Sequence, residues 1–165
     1  MATAIVLAAA LIFLFGFVVL IGAPYVPTMK AQSSAAFDLL KLQPGDSLLE
    51  LGSGDGRVVK EAAKRGIYVT GIELNPVLVI WSKLITWRYR KLVTIKWGNI
   101  WSTKHWPQKT DAMYVFLLDR FMHKLDKKVA QTYTGQPVKL VSYAFEIPEK
   151  KPKQEKDGLY LYQYR

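Results

Sequence analysis

Residues 48–59 read LLELGSGDGRVV. An apolar run ends at an acid, Glu50, and a leucine. Glycine then recurs at every second position, at Gly52, Gly54 and Gly56. The following GRVVKEAAKRG has helical spacing, with charges on one face and Gly66 as its stop. Strand, bare turn and helix in that order predict the first half of a strand–helix–strand unit. Missing side chains let the backbone pass close to a ligand, and a helix N-terminus favours negative charge. A dinucleotide fingerprint would place a third glycine at position 57, where this chain has Arg57, so NAD and FAD are disfavoured. No Gly-Lys-Ser/Thr follows, which excludes a P-loop.

Strand-like and helix-like runs alternate outward from this turn. QSSAAFDLLK (32–41) reads as a helix before it. After it come a strand, IYVTGIE (67–73), and one long helix, NPVLVIWSKLITWRYRK (75–91), with Asn75 as cap and Pro76 at its first position. VTIKWG (93–98) and DAMYVFLL (111–118) are strands, DRFMHKLDKKVAQTY (119–133) is a helix, and VKLVSYAF (138–145) and GLYLYQYR (158–165) are strands. The pattern predicts an α/β fold: a doubly wound, mostly parallel sheet, Rossmann-like and abbreviated at its C-terminus. Ligands on such sheets bind beyond the carboxyl ends of the strands, near the switch point.

Residues 2–23, ATAIVLAAALIFLFGFVVLIGA, are continuously apolar, and the first charged side chain is Lys30. About 20 helical residues span a bilayer core of roughly 30 Å. Nothing basic precedes the run and it exceeds a signal peptide's apolar stretch, so a retained transmembrane helix is expected. All charge follows it, which places the remainder on the cytoplasmic side, or in the matrix of a mitochondrion. Residues 24–31 read as a linker broken by Pro24 and Pro27, and residues 32–165 as one domain.

The chain has 165 residues, no cysteine and two distant histidines, His105 and His123, so neither thiolate chemistry nor a metal site is expected. The net charge of +10 attracts anions. Behind an apolar segment, lipid headgroups are favoured over nucleic acid. Trp81, Trp87, Trp97, Trp101 and Trp106 read as core or membrane-facing residues, and the lysines from Lys150 to Lys156 as a solvated face.

Two acids sharpen the ligand. Glu73, closing the second strand, can accept hydrogen bonds from both hydroxyls of a ribose, and Glu50 can orient the turn or an ammonium group. Adenosine joined to an amino acid suits this set, which is the outline of S-adenosyl-L-methionine (SAM).

ELGSGDG followed by GIELNP resembles the first motif and the next acidic motif of class I SAM-dependent methyltransferases. With YVPT before the domain and VSYAFEIP late in it, the chain is similar to the small membrane-anchored protein-lysine methyltransferases. Those known modify the ATP synthase c subunit and the adenine nucleotide translocator. The resemblance implies that Gly52, Ser53, Gly54 and Gly56 wrap the methionine end of the cofactor, with Asp55 in the same loop. Glu73 holds the ribose, Leu74 follows it, and Asn75 and Pro76 open the next helix. Tyr25, Val26, Pro27 and Thr28 form a lid. Asn99 stands where the family usually has an aspartate near the adenine, and still offers a carbonyl acceptor.

Base-modifying amino-methyltransferases carry Asp/Asn-Pro-Pro-Tyr/Phe after the fourth strand. This chain has LLDR (117–120), so nucleic acid is not an expected partner. The expected partners are a bilayer and a membrane protein bearing a target lysine. Asp119 is the candidate catalytic proton acceptor, with a helix cap as its alternative role. Tyr143, Phe145 and Glu146 are candidates to line a lysine channel, with plain packing as theirs. A lipid or quinone-like substrate, and a SAM-binding scaffold without turnover, remain open alternatives.

Overall fold

The computed structural model describes residues 1, 3, 5 and 28–165. Seven strands form one sheet: β1 (Ser47–Leu51), β2 (Tyr68–Glu73), β3 (Val93–Trp97), β4 (Ala112–Val115), β5 (Val138–Tyr143), β6 (Gln154–Lys156) and β7 (Leu159–Tyr164). Their order is β3-β2-β1-β4-β5-β7-β6, parallel through β5, with β7 antiparallel between β5 and β6. The chain leaves β3 at one edge and returns beside β1, so the switch point lies between β1 and β4. The expected mostly parallel α/β sheet is what forms.

The apolar runs become strands because both faces of the sheet are covered. On one face, Leu48, Val69, Tyr114 and Val141 pack against helices α1 (Lys30–Leu40) and α2 (Arg57–Lys64), through Phe37, Leu40, Val58 and Ala62. On the other, Leu49, Leu51, Met113 and Leu140 meet Met122, Leu125 and Val129 of helix α4 (Met122–Thr132). Each such fully buried side chain contributes about 1.5–3 kcal/mol by leaving water. Helix α3 (Pro76–Ile85) lies on the first face, but it buries only Val79 and Ser82.

Three local expectations are corrected. The long helix expected over 75–91 stops at Ile85, and a separate 3₁₀ turn covers Trp87–Tyr89. Thr86 ends the helix: its hydroxyl donates to the Ser82 carbonyl at 2.7 Å, competing with the backbone ladder. Strand β4 ends at Val115, so Asp119 lies four residues past it and not at its end. Strand β5 ends at Tyr143, leaving Phe145 and Glu146 beyond it, after Ala144 turns the chain at φ 70°. The C-terminal abbreviation takes the form of a hairpin, with no helix between β5 and β6.

The expected transmembrane segment, residues 2–23, lies outside the described residues except for positions 3 and 5, and Tyr25, Val26 and Pro27 of the expected lid lie outside them too. Among the described residues no helix is long and apolar enough to cross a membrane.

Candidate functional site

The turn after β1 is built by its glycines. Gly52, Gly54 and Gly56 have φ of 81°, 53° and 80°, conformations that other residues adopt only with strain. The two outer glycines serve different needs. A Cβ on Gly52 would meet nothing within 4 Å, so its bareness faces open space. A Cβ on Gly56 would lie 2.1 Å from Ser82 Oγ, so its bareness lets α3 approach.

Glu73 holds this turn. One carboxylate oxygen accepts from the Gly54 N–H and the other from the Asn75 N–H, each at 2.8 Å. The carboxylate therefore joins the glycine turn to the start of α3, where Asn75 Oδ1 accepts from Val77 N–H at 2.9 Å as the cap. The Ile72 carbonyl accepts from both Gly52 and Ser53 N–H, and the Glu73 carbonyl accepts from Gly98 N–H at 2.9 Å. That last bond brings the Gly98–Asn99 loop to the same strand end. A carboxylate oxygen has a second lone pair, so Glu73 keeps acceptor capacity for a ligand hydroxyl.

Glu50 lies beneath the turn, between Gly71 of β2 and Tyr114 of β4. It is 4% exposed, and its Oε2 has no hydrogen-bond partner. Burial first, then the nearby charges of Glu73 and Asp55, hold its carboxyl well above the usual range, against a smaller opposing effect of the Val59 backbone. Ser53 Oγ and Asn75 Nδ2 are also buried without a partner. Buried polar atoms left unpaired cost free energy and commonly mark a ligand site.

Thr28, the described end of the expected lid, is buried and bonded to the site at two points. Its hydroxyl lies 3.4 Å from the Tyr114 hydroxyl, and its carbonyl accepts from Arg57 Nη1 at 3.3 Å. Arg57 in turn pairs with Asp55 at 2.8 Å. Burial raises the Tyr114 phenol, which stays protonated. In the sequence Arg57 stands out only as a missing glycine, and Tyr114 not at all. A basic residue two positions after an acid in a ligand turn is the available signal.

The structure thus brings together Glu50, Gly52 to Gly56, Glu73, Asn75 and Thr28. Leu74 contributes its carbonyl to Trp97 Nε1 at 2.9 Å. Asn99 uses its side-chain oxygen within its own loop, accepting from Trp101 N–H at 2.9 Å. Asp119 is exposed and opens a 3₁₀ turn whose cap position is Leu118, so it is not the helix cap. Tyr143 packs edge-on against Phe116, with ring centroids 4.7 Å apart. Phe145 is half-buried, its carbonyl accepting from Ser142 Oγ, and Glu146 is exposed.

Three acidic side chains, Glu50, Asp55 and Glu73, lie close enough to act on one another in a protein of net charge +10. The acid closing β2 suits a ribose, and the buried Glu50 offers a carboxyl group to a cationic ligand. With the strand order, this set defines a class I methyltransferase type of domain. An RNA methyltransferase from Salinibacter ruber, solved with S-adenosyl-L-homocysteine (SAH), superposes with a TM-score of 0.72 at 24% identity, over 84% of this chain and 92% of that one.

The chain belongs to the family described as the ANTKMT methyltransferase domain, whose model matches residues 50–154. It is 32% identical to the Caenorhabditis elegans lysine N-methyltransferase of the ATP synthase c subunit, over 76% of this chain and 68% of the relative. Against the human protein of that name the figures are 30%, 78% and 54%, and against the mouse adenine nucleotide translocase lysine N-methyltransferase 30%, 78% and 56%. The chain thus spans about half the length of these two mammalian relatives. The methyltransferase family uses SAM, and the residues present fit it: a bare turn facing open space, unpaired buried polar atoms and a buried carboxyl group beside them.

Proposed function

We propose that this protein is a SAM-dependent methyltransferase that modifies a lysine side chain of a membrane protein. In this reading residues 2–23 form a membrane anchor, residues 24–31 a lid and residues 32–165 the catalytic domain. The domain faces the cytoplasm, or the matrix in a mitochondrion. The observation that carries it is the Glu73 carboxylate gripping both Gly54 and Asn75 above the buried Glu50. The names of the relatives supply the class of substrate.

SAM supplies a methyl group already activated on a positively charged sulfur. The chain's task is to position and deprotonate. The open face of Gly52 would let the amino-acid end lie against the turn, where Glu50 Oε2 and Asn75 Nδ2 would offer it partners. Glu73 keeps its second lone pairs for the ribose, and Asn99 borders the adenine. A lysine must arrive as the neutral amine, so it needs an acceptor for its proton, directly or through water. Asp119, exposed past the end of β4, fills that role. Tyr143, with Phe116 against it, and Phe145 and Glu146 beyond β5 line the approach, where aromatic faces favour an ammonium.

The test incubates the full-length protein with methyl-labelled SAM and membranes. Label in a protein band, mapped to lysine by mass spectrometry, is the expected result. Label only in the lipid extract would replace the protein substrate with a lipid or quinone-like one. SAM binding with no transfer to any fraction would reduce the protein to a scaffold.

A further inference from the structure

Helix α3 is amphipathic the wrong way round. Ser82 and Thr86 are 0% and 2% exposed, while Ile80, Trp81, Leu84 and Trp87 are 62%, 54%, 63% and 65% exposed. Val77, one turn earlier, is also exposed. These positions fall at helical spacing, so they form one continuous outward stripe. Trp97 extends it: its indole N–H is satisfied by the Leu74 carbonyl, and its ring stays exposed. Burying such side chains in water's place is favourable, so a face of this kind implies something that covers it.

The charge around the stripe says what. Residues 74–110 contain seven lysines and arginines and no aspartate or glutamate. Lys83, Arg88, Arg90 and Lys91 are exposed beside the stripe, and the Arg90 guanidinium lies 5.2 Å from the centre of the Trp87 ring. Tryptophan and leucine on one face, with lysine and arginine flanking them, is the composition of a helix that lies in the headgroup region of an acidic bilayer. We propose that α3, with Trp87 and Trp97, is a second membrane contact, resting on acidic lipid. Asn75 caps this helix and is held by Glu73, so lipid contact at α3 sets the ligand turn at a fixed height beside the bilayer. The inference goes beyond the methyl-transfer reading and needs no turnover to be tested.

The test reconstitutes the full-length protein into phosphatidylcholine vesicles, with and without phosphatidylglycerol, using acyl chains brominated near the headgroup. Emission belonging to Trp81 and Trp87 is the difference between the native protein and the W81F/W87F variant. We expect that emission to be quenched by brominated lipid, about twofold more in acidic than in neutral vesicles. The K83Q/R88Q variant, whose changes lie at exposed positions, loses the acidic preference and keeps its fold by circular dichroism. Equal quenching in neutral and acidic vesicles would overturn the acidic-surface assignment. Unquenched emission would overturn the contact altogether, and cross-links from position 84 to a second copy or to a co-reconstituted membrane protein would then name what covers the face instead.

Discussion

Arg57 donates to the Thr28 carbonyl at 3.3 Å while pairing with Asp55 at 2.8 Å. The helix that opens at the ligand turn is thereby tied to the segment arriving from the apolar N-terminus. The Arg57→Ala variant should melt within about 1 kcal/mol of the native protein, because the ion pair is partly exposed. If the segment ending at Thr28 is the proposed lid, affinity for SAH should fall about fivefold, since Thr28 loses its bond to Arg57 near the turn. Calorimetry and a melting curve on the same sample separate the two effects.

The two outer glycines of the turn should respond differently to the same change. Gly56→Ala puts a methyl group 2.1 Å from Ser82 Oγ at φ 80°, and should cost about 2–4 kcal/mol of stability. Gly52→Ala meets no atom within 4 Å, so only the backbone strain of about 1–2 kcal/mol remains. Its main effect should be on SAM binding, because the methyl group occupies the face turned to the ligand. Thermal melting with and without SAH distinguishes the two variants.

Glu50 gives the site a pH dependence. Its folded pKa is raised above the unfolded value, so the folded state holds the proton more tightly. Stability of the ligand-free protein is therefore full below the ordinary carboxylate pKa and declines as pH rises toward the raised one. Glu50→Gln should remove that decline and raise the melting temperature at neutral pH. The cationic cofactor favours the ionised carboxylate, so SAM binding should release a proton and weaken as pH falls. SAH, which lacks the sulfonium charge, should show less of this. Binding enthalpies measured in buffers of different ionisation enthalpy report the proton count.

Much of this arrangement was legible in the sequence, for reasons that are physical. The runs at 47–51, 68–73, 112–115 and 138–143 read as strands because both faces of the sheet are covered and apolar residues dominate their buried positions. The glycines announced the turn because no other residue sits at those angles without strain. Strand β6 was illegible: Gln154, Glu155 and Lys156 are all exposed and polar, and only pairing with β7 makes them a strand. The break after Ile85 was missed because the apolar periodicity carries on through Trp87, on a face the protein itself does not bury. The sequence points Glu73 at a ribose, while its grip on two backbone amides depends on the loop's folded path, which spacing does not encode. The ends of β4 and β5 are blurred in the sequence because Phe116 to Leu118 and Ala144 to Phe145 are as apolar as the strands they follow.

The double grip of Glu73 can be broken selectively. Glu73→Gln keeps one carbonyl acceptor and loses the other, leaving a backbone N–H unpaired in a buried place. It should lose about 1–3 kcal/mol of stability and at least about 100-fold in SAH affinity. Asp119→Asn, at an exposed position, should leave binding unchanged and depress transfer alone, which equilibrium binding and single-turnover labelling would resolve.

In the proposed function one adenosyl ligand lies between the bare turn after β1 and the acid that closes β2. Titration calorimetry of the intact, detergent-solubilised protein with SAM, SAH and NADH tests this most directly. Heat of binding with SAM and SAH, absent with NADH and lost in the Glu73→Gln variant, is the predicted result. Saturable binding of NADH with no response to SAM or SAH would contradict it.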